Sequence, residues 1–265
     1  MKTKLIFILN ILIIFGTGGV IIYQLFFAEQ KNIKTLSKAA VLFVVYLLAV
    51  TGIRKKRSPF DYVVYEEQYK DILGDAFRDD KPSYRTLMNA ITYFNRNNPD
   101  KAIALLDKIY KNCLYTDDYS AVLFFKARCL EEKRRTAEAE ECYKEILERD
   151  DRNSTAWSNL GLIYQESGRS SKALHAYTRA VESNPSNAAA QCNLGAYYVR
   201  CGEPQNALPY ILKAIELNSK MYEAMGGAAV AYKMLGDNEN AEKYRLMYGA
   251  NGGNAAELKE TLERL

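Results

Sequence analysis

The chain has 265 residues, 48% of them apolar, enough to bury the core of one or two ordinary domains. Its net charge of +4 is unevenly spread: residues 1–57 hold nine lysines and arginines against the single acid Glu29, so the remainder carries −4. The basic excess belongs to the N-terminal segment, and the rest has no run of cations that would track phosphates, which excludes a nucleic-acid partner.

The first element is an apolar run from Leu5 to Phe27, with Asn10 and Gln24 its most polar members. A helix of that length crosses a hydrocarbon core of about 30 Å. A second run, Ala39 to Ile53, reaches spanning length when Thr35 to Ser37 are added and Lys38 snorkels. The expectation is a membrane anchor over 1–57, with transmembrane helices at 5–27 and 35–53. A cleaved signal peptide is the competing reading; against it, the run exceeds the usual h-region and the Phe26–Phe27–Ala28 end is a poor cleavage site. Lys2, Lys4 and the run Arg54–Arg57 flank the outer ends, against Lys31, Lys34 and Lys38 in the connection. That asymmetry favours both termini in the cytoplasm, and the expected location is the plasma membrane. Arg54–Arg57 reads first as a topology determinant and second as a contact to membrane lipid.

Ser58–Pro59 then looks like an N-cap with proline at the first helical position. A helix is predicted to about Phe77, with a turn at Asp79–Pro82, so that 58–82 connects the anchor to the rest of the chain. Beyond residue 82 the sequence repeats itself with a period of 34. Leu160, Gly161, Tyr164, Gly168, Ala173 and Ala180 recur as Leu194, Gly195, Tyr198, Gly202, Ala207 and Ala214. In the frame 154–187, Trp157, Leu160, Gly161 and Tyr164 share one helical face. Tyr177 and Ala180 form the facing side of a second helix, and Gly161 and Ala173 let the two approach closely. Gly168 permits the turn between them, and Asn184–Pro185 ends the pair. The frame 188–221 repeats these features. Weaker copies fall at 83–116 (Ala90, Tyr93, Ala102, Leu106, Ile109), 120–153 (Ala127, Leu130, Ala139, Tyr143, Ile146) and 222–255 (Met225, Ala229, Tyr232, Gly236, Ala241). Three surplus residues separate the first two frames. Pro209 lies inside a predicted helix and should bend it. After Gly252–Gly253, Asn254 and Glu257 start a capping helix over 254–265, with Leu258, Leu262 and Leu265 facing inward.

These residues, in phase over 83–255, resemble the tetratricopeptide repeat, as found in bacterial membrane proteins that carry it. The resemblance implies an all-α fold: a solenoid of about five helix-turn-helix repeats behind the transmembrane hairpin. It also implies that the first helix of each repeat lines a concave groove. That places Thr155, Ser158, Asn159, Leu162, Gln165 and Glu166 along it from the third copy. Ala189, Cys192, Asn193, Ala196 and Arg200 come from the fourth, and Glu223, Gly226, Gly227, Val230 and Lys233 from the fifth. Asn159 and Asn193 are equivalent, with Phe125 and Gly227 at the adjoining places. Some family members use such amides to hold the backbone of an extended peptide, since an amide both donates and accepts; the other reading is that they only stabilise the repeat. The basic residues that clamp a C-terminal carboxylate in chaperone-binding members are not evident. In the first two copies Tyr84, Leu87, Ile91, Phe94 and Phe124 make a more apolar wall, either open or covered by the helix before Phe77.

No catalytic constellation accompanies the repeats. The only histidine, His175, sits on a solvated helix face. Cys113, Cys129, Cys142, Cys192 and Cys201 include no CxxC pair and read as small structural residues. No cofactor, metal or small-molecule substrate is expected. The resulting expectation is a non-enzymatic, membrane-tethered scaffold that binds a peptide or protein partner. The alternative is an assembly subunit of a membrane complex, acting through its hairpin and solenoid.

Overall fold

The computed structural model describes residues 10–15, 19–24, 65–66 and 68–265. It divides into two units, residues 1–58 and 59–265.

In the first unit, Asn10–Phe15 (β1) and Gly19–Gln24 (β2) pair as antiparallel strands, in register from Asn10 opposite Gln24 to Phe15 opposite Gly19. This overturns the transmembrane helix expected over 5–27. Its apolar run is two stretches of Ile and Val, whose branched Cβ favours extended backbone, on either side of a glycine cluster. Among the described residues no helix is long and apolar enough to cross a membrane. The run 35–53 and the basic residues 54–57 lie outside the described residues, as does the Ser58–Pro59 cap. With strands in place of the first span, the two-span anchor does not stand, nor do the membrane-lipid contact, the plasma-membrane placement and the membrane-complex subunit that were built on it.

The second unit opens with a short helix, α1 (Lys70–Leu73). The predicted connecting helix does not reach Phe77: Gly74 and Phe77 both take left-handed φ, 48° and 53°, and break it. Five helix pairs come next. They are α2 (Lys81–Asn95) with α3 (Pro99–Tyr110), α4 (Thr116–Glu132) with α5 (Thr136–Arg149), and α6 (Ser154–Glu166) with α7 (Ser170–Ser183). Then come α8 (Ala188–Arg200) with α9 (Pro204–Leu217), and α10 (Tyr222–Met234) with α11 (Asn238–Ala250). Within each pair the helices pack on each other, and each second helix packs on the first helix of the next pair. This is a solenoid, in which a pair buries its apolar faces only against its neighbours.

In pairs three and four the close approach of the two helices depends on a glycine of the first helix. A Cβ on Gly161 would lie 2.5 Å from the Tyr177 ring, and one on Gly195 would lie 2.4 Å from Ile211 Cγ1 and 3.2 Å from the Ala207 carbonyl. Leu160, Ala173, Tyr177 and Ala180, and Leu194, Ala207 and Ala214, are buried. Trp157, Tyr164 and Tyr198 are half-buried beside them, while Pro185 is exposed in the loop. The turn inside each pair uses one left-handed residue at a constant place: Asn97, Arg134, Gly168, Gly202 and Gly236. Helix α9 runs through Pro209 as one element. The surplus before the second frame appears as an extra N-terminal turn: α4 has 17 residues where α6 has 13.

At the C-terminal end α12 (Ala255–Glu263) starts where Asn254 accepts from the Glu257 N–H, and it packs on α10 and α11. Leu262 is its buried residue, Leu258 is half-buried, and Leu265 is exposed rather than facing inward.

Candidate functional site

The concave face has two unlike halves. In the first, residues 65–66 and 68–77 lie over the first helices of pairs one and two. α1 rests on α4, and Leu73, Ala76 and Phe77 join Leu87, Ile91 and Phe125 in one buried cluster. Tyr84, Phe94 and Phe124 pack against the same cluster. Tyr69 meets Phe125 edge-on at 4.9 Å, a favourable aromatic geometry, and its hydroxyl donates to Asn95 Oδ1 at 3.0 Å. Tyr84 donates to Glu66 at 2.6 Å.

The extra turn of α4 holds the end of this segment. The Asp75 N–H donates to Asp117 Oδ2 at 3.1 Å, and the Phe77 N–H to Asp118 Oδ1 at 2.5 Å. Asp118, buried at 2% exposure, also accepts from the Leu114 and Tyr115 N–H groups. A buried carboxylate that takes three N–H donors at a helix N-terminus is well compensated.

The second half is open. A cavity of about 1050 Å³ runs from Tyr69, Asp71, Ile72 and Gly74 along pairs two to four. Of the expected groove residues, Thr155, Ser158, Asn159, Ala189 and Asn193 line it. Asn159 Nδ2 donates to the Thr155 carbonyl of its own helix at 2.8 Å, which leaves Oδ1 as its free function. The Asn193 amide makes no hydrogen bond among the described residues. Ser158 Oγ is buried and unpartnered.

The other expected residues lie elsewhere. Leu162 and Gln165 are half-buried beyond the cavity, and Ala196, Arg200 and Glu223 are exposed. Lys233 donates to Asn238 Oδ1. Cys192 is buried in the core with Ala224 and Ala228, and burial pushes its thiol up to about 11. His175 is exposed, its ring edge-on to Trp157.

A row of residues that the helix-face argument misses completes the lining. Asp150, Asn184 and Asn218 stand 34 apart in the loops between pairs. Each accepts from the N–H two residues on, at 3.1 Å: Arg152, Ser186 and Lys220. Asn153 and Asn187 come next as the N-caps of α6 and α8. The period of 34 is itself the signal for them. Of the charged residues lining the cavity, Asp71, Asp117 and Asp150 outnumber Arg152.

Between pairs two and three, Arg169 from the turn of pair three grips Glu140 of α5 with two bonds, 3.2 and 2.7 Å, and Lys144 adds a third contact. The Arg169 hydrogen bonds, ahead of Lys144, hold the Glu140 carboxyl at about 2. The Arg169 guanidinium also lies over the Tyr164 ring, 4.5 Å from its centre.

These features define an α-solenoid of helix pairs whose concave face carries a polar groove. Models of the tetratricopeptide repeat match residues 87–155, 154–187 and 188–221. They run without a gap over 87–221, about half of the chain, and over that stretch the chain belongs to the tetratricopeptide-repeat family. Comparison with curated proteins gives no match. Among solved structures the chain is similar to pilF of Pseudomonas aeruginosa, at 21% identity and a TM-score of 0.60, covering 70% of this chain and 84% of that one. It is similar to a tetratricopeptide repeat protein from Parabacteroides merdae, at 23% identity and 0.51, covering 63% and 66%. It is also similar to YrrB, described as a TPR protein with an unusual peptide-binding site, at 18% identity and 0.50, covering 77% and 98%. At these identities the likeness shows the fold alone. The matched repeats are a helix-pair scaffold. Among the described residues no cluster of His, Cys, Asp or Glu is placed to hold a metal ion.

Proposed function

We propose that the open half of the groove binds an extended peptide segment of a protein partner. The observation that carries this reading is the pair Asn159 and Asn193, equivalent residues on neighbouring helices, both lining the cavity and both with unspent hydrogen-bonding capacity. An extended peptide exposes one donor and one acceptor per residue, which suits a ladder of amides and loop hydroxyls. The surplus of carboxylates favours a neutral or basic ligand over an acidic one.

The test is selection of a random-peptide library on the full chain, then titration against Asn159→Ala/Asn193→Ala. Two hydrogen bonds at about 0.5–1.5 kcal/mol each predict a loss of affinity between about 5-fold and 140-fold. Selected peptides that bind the double variant as tightly as wild type would remove the reading.

A further inference from the structure

We propose that residues 68–77 are an internal competitor for the groove, a strap that holds its first half shut until a partner helix of like chemistry displaces it. The proposal rests on the peptide-groove reading for the open half and adds a second, helix-accepting half.

The position of the strap supports this. A helix that merely capped the solenoid would stack in line with the repeats, as α12 does on α10 and α11. Instead α1 rests inside the concave face on α4. There Tyr69 covers Phe125, which occupies in pair two the place that Asn159 and Asn193 hold in pairs three and four. The strap thus sits where a ligand would sit, and it shows what that half accepts: aromatic and aliphatic side chains at helical spacing.

Its own secondary structure is short. A four-residue helix does not sustain itself, and this one is ended by Gly74, with Phe77 beyond it in a left-handed conformation that bulky residues avoid. Strain of that kind clusters at ligand clamps and switch regions. Tyr69, Ile72 and Gly74 also wall the open cavity, so departure of the strap merges the two halves. The fitting partner is a protein segment with an apolar, aromatic helical stretch adjoining an extended polar one.

The test uses the full chain with Tyr69→Ala/Leu73→Ala and, as probe, a fluorescein-labelled peptide of residues 65–80. The double variant should bind the probe at least tenfold more tightly than wild type. In the wild type, the Leu73 and Phe77 amides should exchange with solvent at least tenfold faster than core amides of α6–α9. Equal probe binding by a variant that keeps its helical circular dichroism overturns the proposal, as do strap amides that exchange only at the rate of α6–α9. Should the variant fail to fold, the exchange measurement on wild type decides alone. If no library peptide binds wild type but the strap behaves as stated, the open-half reading falls and the strap stands.

Discussion

The two halves of the concave face come from one 34-residue frame, yet one is sealed and the other open. A single repeat position accounts for much of the difference. Read along the pairs it holds Met88, Phe125, Asn159, Asn193 and Gly227. Met88 and Phe125 are fully buried, Asn159 keeps 9% exposure, and Asn193 and Gly227 are half-buried. An apolar floor left in water loses the burial free energy of its side chains, so the chain covers it with its own residues. A floor of amides and small groups loses little in water and stays open. The same helical scaffold can therefore be dry or wet according to one side chain per repeat.

The largest expected effect breaks the sealed half. Phe125→Ala removes a fully buried ring touched by Tyr69, Phe94 and Phe124, and should cost about 3–5 kcal/mol in urea unfolding. A loss under about 1 kcal/mol would show that this floor is not a packed core. Next comes the open half, which depends on helix approach instead of ring packing. Gly195→Ala puts a methyl against Ile211 and the Ala207 carbonyl, and should cost about 1–3 kcal/mol, read as a lower thermal midpoint.

The junction should be softer. Glu140→Gln keeps the shape and loses charge-assisted bonds, costing about 1–2 kcal/mol at pH 7. Because the carboxyl is held at about 2, against an ordinary 4.5, its contribution is complete above pH 4.5 and is lost as pH falls toward 2. The gap between wild type and variant should therefore shrink in denaturant titrations at pH 3; a constant gap would place the effect in packing. The smallest effect is Leu114→Ser beside the extra turn of α4. Leu114 is 78% exposed, so the change should stay within about 0.5 kcal/mol.

The repeats are legible in the sequence because their physics is periodic. Gly161 opposite Tyr177 and Gly168 at left-handed φ each answer a local steric demand, and such demands recur every 34 residues. The N-terminal run misleads because its length and apolarity suggest a span, while its Ile and Val content and its central glycines are strand and turn signals. The helix predicted to reach Phe77 fails at Gly74, a breaker already visible in the sequence. The groove is legible only in part. Asn159 and Asn193 follow from helix periodicity, whereas Asp150, Asn184 and Asn218 lie in loops that a face-by-face argument does not reach. Burial of Cys192 depends on α10, a neighbour that periodicity within one helix does not place.

The tether of the strap sets a threshold for outside partners. Only residues 78–80 separate Phe77 from α2, and a segment on so short a leash faces its seat at an effective concentration on the order of millimolar. A free partner at micromolar level needs about a thousandfold greater intrinsic affinity, roughly 4 kcal/mol, to take the seat half the time. Occupancy of the first half is then governed by crowding of partners in one place, more than by their total abundance.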